Sequence, residues 1–561
     1  MNFVTLKDLL PLVPEIIILF TSFIVILVDL FAPKKNRMTT LAVTSLVGIG
    51  LALIAEFQLY GSNPTGFYGT VVSDPYSILF ESLYLIVAGV TVFISLHYIA
   101  EQEMNYGEYY VLLLSALMGM MVMTSSLEML VIFIGLEIMS ISSYILVGMK
   151  RRVAMSNEAA LKYLLLGAFS TGFLLYGISL LYGATGTTYL PGIIESLQQG
   201  PFFSNPLAVA GVGLVIISMS FKIAIVPFHM WTPDVYTGAP TPVTGFLSAA
   251  AKAAGFAVFL RVLLTGIPLE SENWKNLLWI LAVLTMTVGN LMALRQNSVK
   301  RMLAYSSIAH AGYVMVAAVA GSAEALSGIF FYSCAYALMG TGAFGILTIR
   351  DLGKVPQTYD DLAGYGKRFP LPAFMMTLFM LSLVGLPLTG GFIAKLQIFS
   401  AALDEGWIWL TVIGVLNSAL SVYYYLRVVV FMYMREGAIP EGVSEEDNQL
   451  PGFAMAGLAG AALTIQLGTF QNNITNGMGF IAVALVYFGG WKASGVLAGS
   501  LLYGLVTAVI TKWKTLGIVT GAAASLTTMA PAVLTVLALA VIARRTTSTP
   551  SALTIPFTRG D

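Results

Sequence analysis

The stretch SMSFKIAIVPFHMWTPDVY, residues 218–236, places an ammonium group, Lys222, inside an apolar run and follows it with Pro227, His229 and Pro233. The run begins near residue 206 and is long enough to cross the ~30 Å hydrocarbon core as a helix. Proline lacks an N–H and its ring clashes with the carbonyl four residues back, so Pro227 predicts a break that leaves the Ile223 carbonyl without its helical partner. A charge and a broken helix at membrane depth are tolerated only inside protein or beside water. This span therefore has to be enclosed by others.

The rest of the chain supplies them. Its 561 residues are 57% hydrophobic and only 10% charged, with a mean hydropathy of +0.84, which indicates an all-α polytopic membrane protein. The short alternating strands of a barrel are absent. Apolar stretches fall at 9–32, 39–59, 76–99, 108–124, 127–149, 159–182, 206–236, 240–264, 276–294, 301–320, 324–348, 372–401, 407–434 and 451–470, about fourteen spans in all. The first is too long for a signal-peptide core and has no basic region before it, so it reads as a span. Lys+Arg and Asp+Glu balance at 28 each, which gives no field for a nucleic-acid partner. The single cysteine, Cys334, forms no internal disulfide and, alone, no metal or Fe–S site.

Charge position orients the spans. Alternate loops carry Lys34, Lys35 and Arg37, then Lys150, Arg151 and Arg152, then Arg295, Lys300 and Arg301, then Arg350, Lys354, Lys367 and Arg368, and finally Arg435. The other side holds little beyond Lys7 and Lys275. By the positive-inside rule the rich side is cytoplasmic and the N-terminus lies opposite. A weak repeat is also present: SFKIAIVPFHMW and SLVGLPLTGGFIAKLQIF each set a proline, Pro227 or Pro387, within a long span with a lysine nearby. The preceding segments EAALKYLLLGAFSTG and EALSGIFFYSCAYALMGTG echo one another too. Two units of five spans, an odd number, must sit with opposite topology. The expected organisation is three helices over 1–107, a first unit over 108–264, a second over 276–434 and a hydrophobic tail over 451–561.

Each charge at mid-membrane costs at least ~2.5–3.5 kcal/mol and requires a reason. Glu137, Lys222, Lys252 and Lys395 lie deepest. Low dielectric disfavours an ammonium and a nearby carboxylate favours it, so moving that carboxylate makes a lysine release its proton. A Glu–Lys pair followed by further lysines is thus a candidate proton relay, with water at the two breaks linking the sites. Pro387, flanked by Gly385, Gly390 and Gly391, should expose the Leu383 carbonyl as Pro227 exposes that of Ile223. The competing reading of Glu137 is a structural ion pair, and that of Lys162, about one turn into its span, is snorkelling to the interface. His310 is either an intermediate carrier or a core histidine bonded to a carbonyl. His229 is either a hinge or a cap, and His97 is interfacial. No Gly-rich phosphate loop, dinucleotide fingerprint or cysteine cluster occurs, so redox energy has to come from partners.

FIGLEIMSISSYIL, FKIAIVPFHMWTPDVYTGAPTPVTGFLSAAAKAAG, RQNSVKRMLAYSSIAHAGY and LVGLPLTGGFIAKLQIF closely resemble the subunit N family of bacterial NADH:quinone oxidoreductase, respiratory complex I, one of its antiporter-like membrane subunits. The resemblance covers about residues 1–450. It implies fourteen helices, two inverted five-helix repeats, broken seventh and twelfth helices, and a half-channel in each repeat. Residue by residue, the family's essential helix-five glutamate matches Glu137. Its lysines on helices seven, eight and twelve match Lys222, Lys252 and Lys395, and Lys162 and His310 match secondary positions. Sister subunits commonly carry glutamate at the Lys395 position. The resemblance implies NADH, flavin, Fe–S clusters and quinone in partner subunits, none in this chain, and a home in the bacterial inner membrane. A subunit of a multisubunit cation/proton antiporter is the alternative.

From about residue 452, NNITNGMGFIAVALVYFGGWKASGVLAGSLLYGLVTAVI resembles the C-terminal part of a permease subunit of ABC importers of the nucleoside or simple-sugar type. This implies a composite chain, with permease activity from the tail as a second alternative. The permease core and coupling region are missing.

Overall fold

A computed structural model describes residues 5–436, apart from 6, 34–35, 103, 105, 201, 268–271, 351–357 and 388. The expected fourteenth span and the permease-like tail lie outside the described residues. The chain is nearly all helix. In order come α1 (Val13–Phe31), α2 (Arg37–Leu59), α3 (Pro75–Glu101), α4 (Glu108–Ser125), α5 (Met129–Val147), α6 (Ala154–Thr185), α7 (Leu190–Gln198), α8 (Pro206–Lys222) and α9 (Trp231–Gly238). Then follow α10 (Thr241–Phe246), α11 (Lys252–Gly266), α12 (Glu272–Leu294), α13 (Val299–Ala320), α14 (Ala323–Arg350), α15 (Tyr365–Arg368), α16 (Pro370–Val384), α17 (Gly390–Asp404) and α18 (Ile408–Met434). A two-residue ribbon, Thr65–Gly66 against Val71–Val72, is antiparallel.

Among the described residues, eleven helices are long and apolar enough to cross a membrane, taking α10 and α11 as one, or twelve if a bent pair ending in α16 is counted. Two of the expected spans, 206–236 and 372–401, are each divided, which is why they fail a test of unbroken length. The helix starts follow capping chemistry. Asp74 and Ser77 form a reciprocal capping box at α3, Asn205 caps α8, Ser298 caps α13 and Thr389 caps α17.

The first break differs from the one the sequence predicts. α8 ends at Lys222, five residues before Pro227, and Ala224 takes a left-handed φ of 61°, a conformation uncommon for a residue with a Cβ. The chain is held through the turn by Ile225 N–H to Ser220 O, 2.8 Å, and by Val226 N–H to the Thr285 hydroxyl, 3.0 Å. The indole N–H of Trp231 donates to Phe221 O at 2.9 Å. Several groups therefore leave helical pairing here, not the Ile223 carbonyl alone. The second break follows expectation more closely. Gly385, left-handed at φ 82°, closes α16, and α17 begins at Gly390.

At the centre lies α13, in which every residue but Arg301 is buried. Such all-round burial identifies a helix enclosed by other helices rather than by lipid. Behind it, Arg261 of α11 donates to both carboxylate oxygens of Asp74, at 2.8 and 3.1 Å, and lies over the Tyr76 ring. This pair ties the helix that carries Lys252 to the start of α3.

Candidate proton-transfer site

Lys222, Lys252 and Lys395 are each only 5–6% exposed, and each has the same kind of partner. Lys222 Nζ donates to Ser140 Oγ, Lys252 Nζ to Ser307 Oγ and Lys395 Nζ to Ser418 Oγ, all at 2.9 Å. A hydroxyl both accepts and donates. It can accept from an ammonium and, after rotating, donate to a neutral amine. A serine therefore leaves a buried lysine free to change its proton count, whereas a carboxylate would favour the charged form.

The backbone prepares each position. Lys222 is the last residue of α8, so its side chain projects from a helix end, over the Tyr163 ring at 5.6 Å. Lys252 follows a single π turn, Leu247–Ala251, a local widening common at functional sites. It also donates to the Ser307 carbonyl at 2.7 Å. Lys395 reaches back across the second break to the carbonyls of Leu383 and Val384, at 3.1 and 2.8 Å. The Leu383 carbonyl is the group the sequence predicts to be freed, and its partner here is the lysine itself.

Among the described residues Glu137 forms no direct ion pair with Lys222. Among the described residues its Oε1 is buried without a hydrogen-bond partner, and Lys222 is taken up by Ser140, three residues further along α5, and by Tyr163 at 3.4 Å. The structural ion pair expected as the competing reading is not formed, and neither is the closed state of a Glu–Lys switch.

Lys162 does not simply snorkel. It pairs with Glu158 at 2.7 Å and with Asp234 at 2.8 Å, and the other oxygen of Asp234 binds Arg301 of α13, also at 2.8 Å. His310, on α13 one turn after Ser306 and Ser307, is bonded to two tyrosine hydroxyls rather than to a carbonyl. It shares with Lys252, Tyr332 and Tyr336 a cavity of about 20 Å³ whose wall is almost wholly apolar. His229 contributes its carbonyl to the start of α9, accepting from Thr232 N–H at 3.0 Å, while its Nδ1 is buried without a partner. The structure thus brings Lys252 and His310 together, while the N-cap of α9 is Met230 and no side chain, that of His229 included, caps it.

Sequence reasoning missed the three serines, the two tyrosines and Asp234. Serine in an apolar helix is common and carries no signal until a lysine from another helix meets it. Asp234 was readable, being an acid within the apolar segment that follows the first break.

These features define an antiporter-like polytopic membrane protein, built on interrupted helices with lysines at the breaks. The sequence model of the family described as NADH:quinone oxidoreductase/Mrp antiporter, transmembrane, matches residues 126–421, and the chain belongs to that family. A protein named NADH-quinone oxidoreductase subunit N from Trichlorobacter lovleyi is 50% identical over 427 residues, covering 76% of this chain and 88% of that protein. A chain of respiratory complex I from Thermus thermophilus superposes with a TM-score of 0.69 at 33% identity, covering 82% of this chain and 98% of its own. A chain of an Mrp complex from a Dietzia species reaches a TM-score of 0.71 at 18% identity, covering 83% and 94%, a likeness of fold alone.

Proposed function

We propose that the chain is the proton-translocating membrane subunit N of an NADH:quinone oxidoreductase. The observation that carries this is the set of three buried lysines, each held by a serine hydroxyl instead of a carboxylate, on or beside interrupted helices. The path runs from Glu137 through Lys222, Lys252 and His310 to Lys395, with Lys162 and Asp234 at its edge. The redox step belongs to partner subunits that hold flavin, Fe–S clusters and quinone. Their work reaches this chain as movement of charge near Glu137, which raises or lowers the tendency of Lys222 to keep its proton.

The units 108–264 and 276–434 act as inverted repeats, each with one lysine at a break. The protein sits in the bacterial inner membrane with its N-terminus on the non-cytoplasmic side, as the loop charges argue. The antiporter alternative is weaker, since likeness to the Mrp chain is one of fold while half of the residues match a subunit N over most of its length. The importer-permease reading of the tail has no support in these likenesses and forms no part of the function.

Replacing Glu137 or Lys222 by alanine in the assembled complex tests this. The number of protons moved per electron should fall while electron transfer continues, and an unchanged ratio in both variants would overturn the assignment.

A further inference from the structure

His310 is clamped at both ring nitrogens. The Tyr332 hydroxyl of α14 lies 2.7 Å from Nδ1 and the Tyr425 hydroxyl of α18 lies 3.0 Å from Nε2. Tyr425 is in turn hydrogen-bonded to Ser306, one turn before His310 on α13. All four side chains are at most 2% exposed. One end of this chain opens on the cavity that Lys252 lines. Near its other side, Lys395 lies 5.0 Å from the Tyr313 ring, which meets the His310 ring edge-on at 5.6 Å.

A neutral imidazole donates from one nitrogen and accepts at the other. Between two hydroxyls this leaves two arrangements. In one, Tyr332 O–H donates to Nδ1 and Nε2–H donates to Tyr425. In the other, Tyr425 O–H donates to Nε2 and Nδ1–H donates to Tyr332. The ring does not turn between them, because both nitrogens keep their partners. Only the protons move.

We propose that Tyr332 and Tyr425 are proton-transfer residues, carrying a proton across His310 from the Lys252 side to the Lys395 side by exchange of its tautomer. The proposal rests on the proton path of the preceding section and adds two residues to it. When a water enters the cavity they share, the Lys252 ammonium gives a proton through it to the Tyr332 oxygen, and the Tyr332 hydroxyl proton passes to Nδ1. Nε2 gives its proton to the Tyr425 oxygen, and the Tyr425 proton passes to Ser306. The Ser306 proton leaves through water for the Lys395 amine. One N–H bond is broken at Lys252 and one is formed at Lys395; each oxygen between them ends with the proton count it began with, and the imidazole as a whole keeps one proton, moved from Nε2 to Nδ1. The transfer leaves the His310 proton on Nδ1 instead of Nε2, and before a second proton can follow, the imidazole has to release both tyrosines and turn so that a bare nitrogen again faces Tyr332 and an N–H again faces Tyr425. Serine 306 fixes the direction of the Tyr425 hydroxyl and so belongs to the same device.

The test uses the whole complex in sealed vesicles, with Tyr332→Phe, Tyr425→Phe and Lys252→Ala measured side by side. Each phenylalanine keeps the ring and removes the hydroxyl. The protons moved per electron should fall in both to the level of Lys252→Ala, with uncoupled electron transfer retained. A ring-fluorinated tyrosine at position 425 keeps the shape with a more acidic hydroxyl, and it should preserve pumping while shifting its pH profile to lower pH. This second arm decides the matter if a phenylalanine variant does not assemble. Wild-type ratios in the phenylalanine variants, or an unmoved pH profile in the fluorinated protein, overturn the proposal. A normal ratio in Lys252→Ala would instead overturn the underlying path.

Discussion

Gly391 offers the sharpest mechanical prediction. It lies in the first turn of α17, where a Cβ would stand 1.8 Å from the carbonyl oxygen of Ser382 in α16. Real Cβ atoms keep at least 3.0 Å from such an atom, so Gly391→Ala must open the two halves of the broken helix by about 1.2 Å. Ser382 is two residues from Val384, whose carbonyl accepts from Lys395 at 2.8 Å. The same opening carried to that bond lengthens it to about 4.0 Å, outside hydrogen-bonding range. Overpacking of this kind costs about 1–3 kcal/mol, and loss of a hydrogen bond to a charged group adds about 1.5–3 kcal/mol. The control is Gly213→Ala in α8, where nothing lies within 4 Å of the added carbon. Heating the purified complex and following release of this chain should show Gly391→Ala failing at lower temperature than Gly213→Ala, with fewer protons pumped per electron. Identical behaviour of the two variants in both assays would refute the argument that close contact at Gly391 sets the position of Lys395.

Three further outcomes follow from the site. Ser307→Ala should leave Lys252 with the Ser307 carbonyl as its remaining acceptor, costing about 1–3 kcal/mol of stability and slowing proton release in single-turnover measurements more than it slows quinone reduction. Asp234→Asn should leave assembly intact, because its two ion pairs have side chains about a third exposed and such pairs are each worth at most about 1 kcal/mol; a loss above ~2 kcal/mol in chemical denaturation would contradict this. Arg261→Ala removes a buried guanidinium that packs on Tyr76 and bonds both oxygens of Asp74, but Asp74 is about a third exposed and keeps its bonds to Ser77, so destabilisation of about 1–3 kcal/mol is expected, read from the same denaturation curve.

The fold was legible where it depends on hydrophobic length, and less so where it depends on how a helix ends. Apolar runs located the spans, and Pro227 and Pro387 marked the divided ones. Pro227 did not reveal that α8 stops five residues earlier, at the lysine, because the turn is held by Thr285 of the distant α12 and by Trp231 folding back ten residues onto Phe221. The deep charges were legible because a charge in lipid is costly wherever it sits. Their partners were not, since Ser140, Ser307 and Ser418 meet their lysines only after separate helices pack. The same holds for His310: its pKa range suggested a carrier, while the two tyrosines that would make it one come from α14 and α18.

The central claim is that protons pass through the middle of the chain by way of Lys252. The most direct measurement is the proton-to-electron ratio of Lys252→Ala complexes in sealed vesicles, recorded together with NADH oxidation. A lower ratio with electron transfer maintained is the predicted result, and a wild-type ratio would contradict the account.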